Sequence, residues 1–516
     1  MTDPCVERPR WERPFLGVVV LLALALGFAN LAKPALWHDE LVHVYVAKAI
    51  GETGLPLLMS GRVFTNGALY NYLLAAVIML FGDSEFAVRA PSVIFFAVNV
   101  FLVYRILREW IGWRAAMPAA LLFALSPWSV AWARQARFYM LHQTVYLLTM
   151  YSIWRAGEAE SRKDAVRWGL GACAGYGIGL LAGPQTIFFL APAGAYAGLR
   201  WLQARSVSSR WLVIIAICGV LGAGTLLGYY AMLPKAEHDA IFKEAQLLAA
   251  PRDPMADPDQ SDSLYYFRFF TNNLSAGYFM LACIGLVLLP FKEGRRGLFV
   301  ALCFLAPILV LNYLVGYRRH RFVFFAYPFY VAACAYAMVW LARFVKSSRR
   351  SMWRMAVSAA IVVFGVRLAL STFRLIEDTV VVAGGDDTTL ANHHPQWRKP
   401  CEWVRDHRNG AAVLCTTYLT AHYYIGHVDN WYPSRVIVWE YIESGLDGLR
   451  DLDDLQAFIA EHPRGFFVAE WRRFGNWRFY QEDIDWVESN MRRIDEASSR
   501  DVTVYAWGLA AGENSS

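Results

Sequence analysis

Apolar runs long enough to cross a bilayer, roughly 17–25 residues each, recur along the chain. They fall at about 15–32, 88–107, 115–132, 139–155, 168–183, 185–200, 211–231, 273–290, 297–315, 322–342 and 355–372. The pattern predicts a polytopic α-helical membrane protein with about eleven transmembrane helices. A shorter apolar stretch at 68–81 reads either as a span or as a helix lying on the membrane. After residue 372 the pattern changes. Residues 411–414, 465–468 and 502–507 read as strands, 452–459 as an amphipathic helix and 484–491 as a weaker one. That mixture predicts a small C-terminal α/β domain.

Composition agrees with the pattern. Of 516 residues, 57% are hydrophobic and 18% charged, and the mean hydropathy is +0.30. A soluble chain carries about 25% charged residues, so much of this surface faces lipid. The net charge of +6 suits inner loops rich in Lys and Arg. No basic stripe forms, so nucleic acid is not an expected partner. The eight cysteines include no Cys-x-x-Cys spacing. Cys173, Cys218, Cys283, Cys303 and Cys334 lie in apolar runs and read as core residues. A disulfide between Cys401 and Cys415 is open to an extracytoplasmic tail.

Charge also places the loops. Residues 1–14 are polar and carry Arg8, Arg10 and Arg13. No small-residue cleavage site follows the first apolar run, which therefore reads as a transmembrane helix with the N-terminus inside. If 68–81 does not cross, the inner loops collect Arg105, Arg108 and Arg114; Arg155, Arg162, Lys163 and Arg167; Arg200, Arg205 and Arg210; Lys292, Arg295 and Arg296; and Arg343, Lys346, Arg349, Arg350 and Arg354. If it crosses, most of these clusters move outside. The positive-inside rule favours an interfacial or re-entrant helix at 68–81. The expected layout is a cytoplasmic N-terminus at 1–14, a membrane domain at 15–372 and an extracytoplasmic tail at 373–516. Outer loops lie at 33–87 (loop one) and 233–272.

The candidate chemistry gathers on that outer face. Trp37-His38-Asp39-Glu40 follows the first span. Two adjacent carboxylates beside a membrane must be solvated, paired or liganding. The functional reading is a general base with a metal or hydrogen-bonding partner; the alternative is a solvated loop with two ordinary acids. Two short outer loops break the charge rule: Ala133-Arg134-Gln135-Ala136-Arg137, followed by Tyr139, and Tyr317-Arg318-Arg319-His320-Arg321. Guanidinium groups at helix starts suit a phosphodiester or diphosphate head group; snorkelling to lipid is the alternative. Arg62 and Asn66, in the turn before 68–81, offer further substrate contacts. Tyr70 and Tyr72 read as interface anchors. His38, His43, His142 and His320 show no zinc spacing. Trp397, Trp403, Trp431, Trp439, Trp471 and Trp477 suit either sugar stacking or core packing.

The order of these motifs resembles a known superfamily. Trp-His-Asp-Glu after the first helix is followed by Leu80-Phe81-Gly82-Asp83-Ser84-Glu85-Phe86-Ala87-Val88-Arg89-Ala90-Pro91-Ser92, Leu125-Ser126-Pro127 and Ala133-Arg134-Gln135-Ala136-Arg137-Phe138-Tyr139. This resembles the GT-C membrane glycosyltransferases, within them the protein O-mannosyltransferase and lipid A aminoarabinose transferase family. The likeness covers residues 15–160 well, is looser to 345 and is architectural in the tail. It implies transfer of a sugar from a polyprenyl-phosphate donor to a glycan, lipid or protein hydroxyl, with inversion, on the extracytoplasmic face of a prokaryotic inner membrane. Asp39 is then the implied base. Glu40, with His38, is the candidate ligand for a divalent metal (Mg, Mn or Zn). Arg137, Tyr139, Arg318, Arg319, His320 and Arg321 are the implied phosphate and substrate contacts, and Arg134 joins them on the charge reading alone. Two departures concern the substrate: Asn66-Gly67 replaces a Lys-Pro, and Leu141-His142-Gln143 replaces an expected Asp. The Trp-Trp-Asp-Tyr-Gly motif of oligosaccharyltransferases is absent. The rival class, a transporter or flippase, would place ionisable groups near the bilayer midplane, where this chain has few acids. A structural assembly protein with a carbohydrate-binding tail leaves the Asp-Glu loop unexplained.

Overall fold

The computed structural model describes residues 9–204, 208–232, 262, 264–315, 318–347, 352–385, 395–432, 443–471 and 479–509. Most of the expected outer loop 233–272, together with Tyr317, Trp439 and Trp477, lies outside them. The chain forms two compact units. One comprises Met1–Ala29 with Ala90–Gly384. The other joins Asn30–Arg89 to Asn392–Ser516. Loop one thus belongs to the same unit as the tail.

Helices occur where the apolar runs predict them. The first eight are α1 (Glu12–Phe28), α2 (His38–Thr53), α3 (Ala68–Phe81), α4 (Glu85–Ile111), α5 (Trp113–Ala124), α6 (Pro127–Ala133), α7 (Tyr139–Gly157) and α8 (Arg162–Ala182). By length and hydropathy, three helices among the described residues suffice to cross a membrane: Glu85–Ile111, Tyr265–Leu314 and His320–Lys346. The pair α5 and α6, bent by 58°, adds a fourth if it counts as one span. The bend is written in Leu125-Ser126-Pro127. Proline disfavours helix at the residue before it, and Ser126 is extended (φ −74°, ψ 124°). Its Oγ then accepts from Ser129 N and caps the new helix. A second break falls at Gly294, whose φ of 58° separates the runs expected at 273–290 and 297–315.

The first unit is packed with rings. Trp154, Tyr196 and Trp211 surround Phe299 at centroid distances of 5.1, 5.7 and 5.6 Å. At helix ends, several of the basic residues expected in inner loops pair with acids: Arg108 with Glu12 at 2.5 Å, Arg155 with Glu109 at 2.8 Å and Arg295 with Glu158 at 3.4 Å.

In the second unit the tail forms a five-stranded sheet: β1 (Ala412–Cys415), β2 (Asn430–Trp431), β3 (Gly465–Ala469), β4 (Arg492–Arg493) and β5 (Thr503–Trp507), in the order β2-β1-β3-β5-β4. The first three neighbours run parallel; β5 is antiparallel to both β3 and β4. Leu414, Phe467 and Tyr505 pack with Leu455, Phe458 and Val487 from the predicted helices, observed at Leu452–Glu461 and Gln481–Asn490. The helix Tyr418–Ile425 knits loop one to the tail. Tyr424 OH accepts from Leu36 N (2.7 Å) and donates to Glu85 Oε1 (3.0 Å), while Tyr423 OH donates to Asp83 O (2.6 Å). Arg398 pairs with Glu85 at 2.5 Å.

Candidate active site

The acidic pair opens α2, which starts at His38 and ends where Gly54 (φ 79°) closes it with an N–H to Ile50 O. Asp39 and Glu40 lie in its first turn, where the helix dipole favours negative charge. Their environments differ. Asp39 is half-buried, whereas Glu40 is fully buried. Arg89, from the first turns of α4 and 1% exposed, grips Glu40 at both oxygens: Nε to Oε1 and Nη2 to Oε2, each 2.8 Å. The remaining guanidinium hydrogens go to Leu31 O (3.0 Å), Pro34 O (2.8 Å) and Ala35 O (3.0 Å). Five donors therefore meet five acceptors, the full capacity of an arginine. Glu40 Oε2 also takes the Trp37 N–H (3.3 Å). On the other side of Asp39, His38 Nε2 lies 2.6 Å from Glu443 Oε2 of the tail. Both neighbours of Asp39 are held, while Asp39 itself is half-buried.

Glu40 and His38 therefore do not fit a metal site: the Glu40 carboxylate is committed to a guanidinium and His38 to Glu443. Among the described residues no three His, Cys, Asp or Glu side chains form a group that could hold an ion. His43 Nδ1 pairs with Asn71 Oδ1 at 2.6 Å, and His142 Nε2 with Thr186 Oγ1 at 2.9 Å. In the preceding turn, Asn66 O accepts from Asn71 Nδ2 (3.2 Å) and Arg62 O from Leu58 N (2.8 Å), with the Arg62 side chain exposed. Tyr70 departs from its expected interfacial place: it is fully buried, its hydroxyl 3.5 Å from Val88 O.

The basic candidates belong to the first unit, and here the two arginine-bearing loops meet. Arg137 lies over two rings, 5.8 Å from the centre of Trp132 and 4.9 Å from that of Tyr139, and its Nη2 donates to Tyr139 OH at 3.3 Å. Ser92 Oγ fixes the turn by donating to Arg137 O (3.1 Å). His320, which opens the turn His320–Ala326, stands 6.1 Å from Trp132 and stacks on Phe269 at 5.1 Å. Trp132 thus links the Arg137 loop to the Arg318–Arg321 segment. Arg318 Nε donates to Asn312 O (3.0 Å), and Arg321 lies 5.9 Å from the ring of Phe322; Arg319 and Arg321 are half-buried.

A buried polar chain holds the two loops in register. Thr144 Oγ1 donates to Asn99 Oδ1 (2.6 Å), Asn99 Nδ2 to Gln143 Oε1 (3.2 Å), and Gln143 Nε2 to Phe324 O (2.7 Å). Gln143, where the resemblance calls for an acid nearby, ties α7 to the His320–Ala326 turn. Arg134 does not behave as expected. Its Nη1 turns to the last carbonyls of α1, including Gly27 O at 3.1 Å and Ala29 O, capping that helix rather than offering a phosphate contact. Below the rings an apolar pocket is lined by Leu122, Leu125, Leu274, Val331, Leu375 and Tyr327 among others. Tyr327 packs on Trp128, 4.8 Å away, and hydrogen-bonds Ser126 at 2.8 Å.

Among the described residues, the tail tryptophans Trp397, Trp403, Trp431 and Trp471 serve the fold. Trp397 Nε1 donates to Glu470 Oε2 (2.9 Å), Trp431 Nε1 to Leu446 O (3.1 Å) and Trp471 Nε1 to Tyr505 OH (3.0 Å). Trp403 stacks on His407 at 4.1 Å. Cys401 and Cys415 are both buried; burial pushes the Cys401 thiol pKa up.

Residues 66–227 match the family described as dolichyl-phosphate-mannose-protein mannosyltransferase. That segment carries Arg89, Arg137 and Tyr139 but neither Asp39 nor the Arg318–Arg321 cluster. Similar solved structures span nearly the whole chain. ArnT from Cupriavidus metallidurans in the apo state superposes with a TM-score of 0.63 at 12% identity, covering 96% of this chain and 97% of its own. This is the GT-C glycosyltransferase fold. ArnT bound to undecaprenyl phosphate gives a TM-score of 0.60 at 12% identity over 97% and 98% of the two chains. The oligosaccharyltransferase AglB from Archaeoglobus fulgidus, in complex with an inhibitory peptide and a dolichol-phosphate, gives 0.58 at 11% identity over 94% of this chain and 72% of its own. No curated protein sequence matches the chain. The resemblance read from the motifs therefore holds in family sequence over residues 66–227 and in fold over nearly all of the chain. At such identities the superpositions speak for the GT-C fold alone.

Proposed function

We propose that the chain is a membrane glycosyltransferase that moves a monosaccharide from a polyprenyl-phosphate donor to a hydroxyl of a glycan, lipid or protein, with inversion. The observation that carries this reading is the meeting of Arg137 and the His320 turn at Trp132, one ring away from an apolar pocket. Guanidinium groups for a phosphate, aromatic faces for a sugar and an apolar pocket for an isoprenoid are what such a donor requires. Asp39 takes the acceptor's proton as its oxygen attacks the anomeric carbon. The carbon–oxygen bond to phosphate breaks, and the carrier leaves as a phosphate monoester with one more negative charge. Arg137 and the Arg318–Arg321 cluster meet that charge. Glu40 acts through Arg89 to hold the turn, and Arg134 drops out of the phosphate set. The layout that goes with this chemistry has about eleven spans, α3 at the interface, and the tail outside a prokaryotic inner membrane.

The test is Asp39→Asn. Cells lacking the gene accumulate the unspent lipid-linked sugar, detected by mass spectrometry, and the wild-type gene clears it. Removing a general base costs roughly 10²–10⁴-fold, so the variant reaches the membrane at normal levels and clears nothing. Normal clearance by the variant removes Asp39 from the mechanism.

A further inference from the structure

The tail does more than cap the second unit. We infer that Glu443 is a positioning residue of the transferase: through His38 it fixes the turn that presents Asp39. The inference rests on the proposed role of Asp39 as base. Three consecutive residues open α2, and the outer two are clamped from different parts of the chain. Arg89 holds Glu40 from α4. Glu443 holds His38 from the tail at 2.6 Å, with side chains 8% and 13% exposed, so the contact is only weakly screened by water. Glu443 is itself seated on loop one, where its carbonyl accepts from Ser60 N at 3.1 Å. Two residues on, Gly445 (φ 75°) lies so close to loop one that a Cβ there would come within 2.9 Å of Ser60 Cα. Trp431 Nε1 then binds Leu446 O at 3.1 Å and ties the segment to β2. The contact is thus built from sheet edge to acidic turn.

Glu443 contributes no side chain to the tail's hydrophobic core, and glutamine keeps its size, so E443Q leaves that core's packing in place. It acts on the orientation of Asp39, and displacing a catalytic group by about 1 Å can cost about 10²-fold in rate. Membranes from cells lacking the gene hold both unspent donor and unmodified acceptor. Purified full-length protein added to them consumes the donor, followed by mass spectrometry. E443Q and H38Q each slow consumption at least about tenfold, and the double variant is no slower than the worse single one, because one contact is lost in all three. Binding of undecaprenyl phosphate, measured on the same preparations, stays at the wild-type level, as does the melting temperature. Wild-type rate in E443Q, or losses that multiply in the double variant, overturn the inference. If E443Q does not accumulate, E443A replaces it: a folded E443A with wild-type rate has the same force. D39N run alongside separates the failures. An inactive D39N beside a normal E443Q sinks only the role of Glu443, whereas an active D39N sinks the base and this inference with it.

Discussion

Arg89 and Arg137 are both more than nine-tenths buried, at 1% and 5% exposed, yet their surroundings have opposite character. Arg89 is closed around by oxygens, two of them from a carboxylate. Arg137 lies against the faces of Trp132 and Tyr139. A guanidinium saturated by a carboxylate and carbonyls is a clamp with nothing left to give a ligand. Aromatic faces stabilise a cation without neutralising it, which suits the phosphate contact proposed for Arg137. The residue type alone does not separate the two roles; the chemistry of the neighbours does. The same contrast sorts Arg134, capping α1, from Arg137, although they stand three positions apart.

The severest way to break the comparison is Arg89→Leu. Removing one partner of a buried pair leaves an uncompensated charge and costs about 3–5 kcal/mol. Much less folded protein is expected in the membrane, measured by size-exclusion fluorescence. Adding Glu40→Leu removes the stranded carboxylate and restores the folded protein, but not sugar transfer, because the turn bearing Asp39 has lost its clamp. Full activity in the double variant would show that the clamp serves stability alone.

Arg137→Gln probes the other half with a smaller effect on the fold. Its ring contacts are each worth only about 0.5–2 kcal/mol, so folded protein persists. Loss of a charge that stabilises the departing phosphate costs about 10²-fold in transfer, together with weaker binding of undecaprenyl phosphate. Arg134→Gln serves as the contrast: a modest loss of stability, with binding of the lipid phosphate retained. Equal losses of binding in both variants would erase the distinction drawn between these arginines.

What the chain disclosed in advance follows from how local each signal is. The Asp39-Glu40 turn was legible because it directly follows an apolar run, and the kink at Ser126-Pro127 because proline enforces it. The strands at 412–415, 465–469 and 503–507 were legible from their β-branched and aromatic residues. The two-residue strands β2 and β4 carry no pattern of their own and exist only as edges of longer neighbours. The acidic motif was visible, and the resemblance gave its two acids different roles, but the clamp on Glu40 was not: it depends on Arg89, 49 positions away. Glu443 lies further still and in a different kind of sequence. That both loops are rich in arginine was readable from the sequence, whereas their meeting at Trp132 is a packing result. The carbonyls that Arg134 Nη1 binds are backbone partners, which composition never displays.

The finest test concerns the edge of the clamped region. Tyr45 of α2 hydrogen-bonds His422 Nδ1 at 2.8 Å, a contact between loop one and the tail. Burial, then the nearby His427 and Lys48, hold the His422 pKa below its ordinary value. The folded chain therefore keeps this imidazole neutral while the unfolded chain protonates it more readily. The unfolded state binds more protons, so stability rises with pH. The contribution is intact above about pH 6.5 and is lost as the pH falls below that value towards the lower folded one. Wild-type protein should melt at a lower temperature at about pH 5.5 than at about pH 7.5, and His422→Gln, which keeps a polar partner for Tyr45 but cannot titrate, should show a smaller drop. His422 is only half-buried in effect, so the difference is the smallest of the set. An identical drop in both proteins would place the acid sensitivity elsewhere, and would leave the grip on the acidic turn to Arg89 and Glu443.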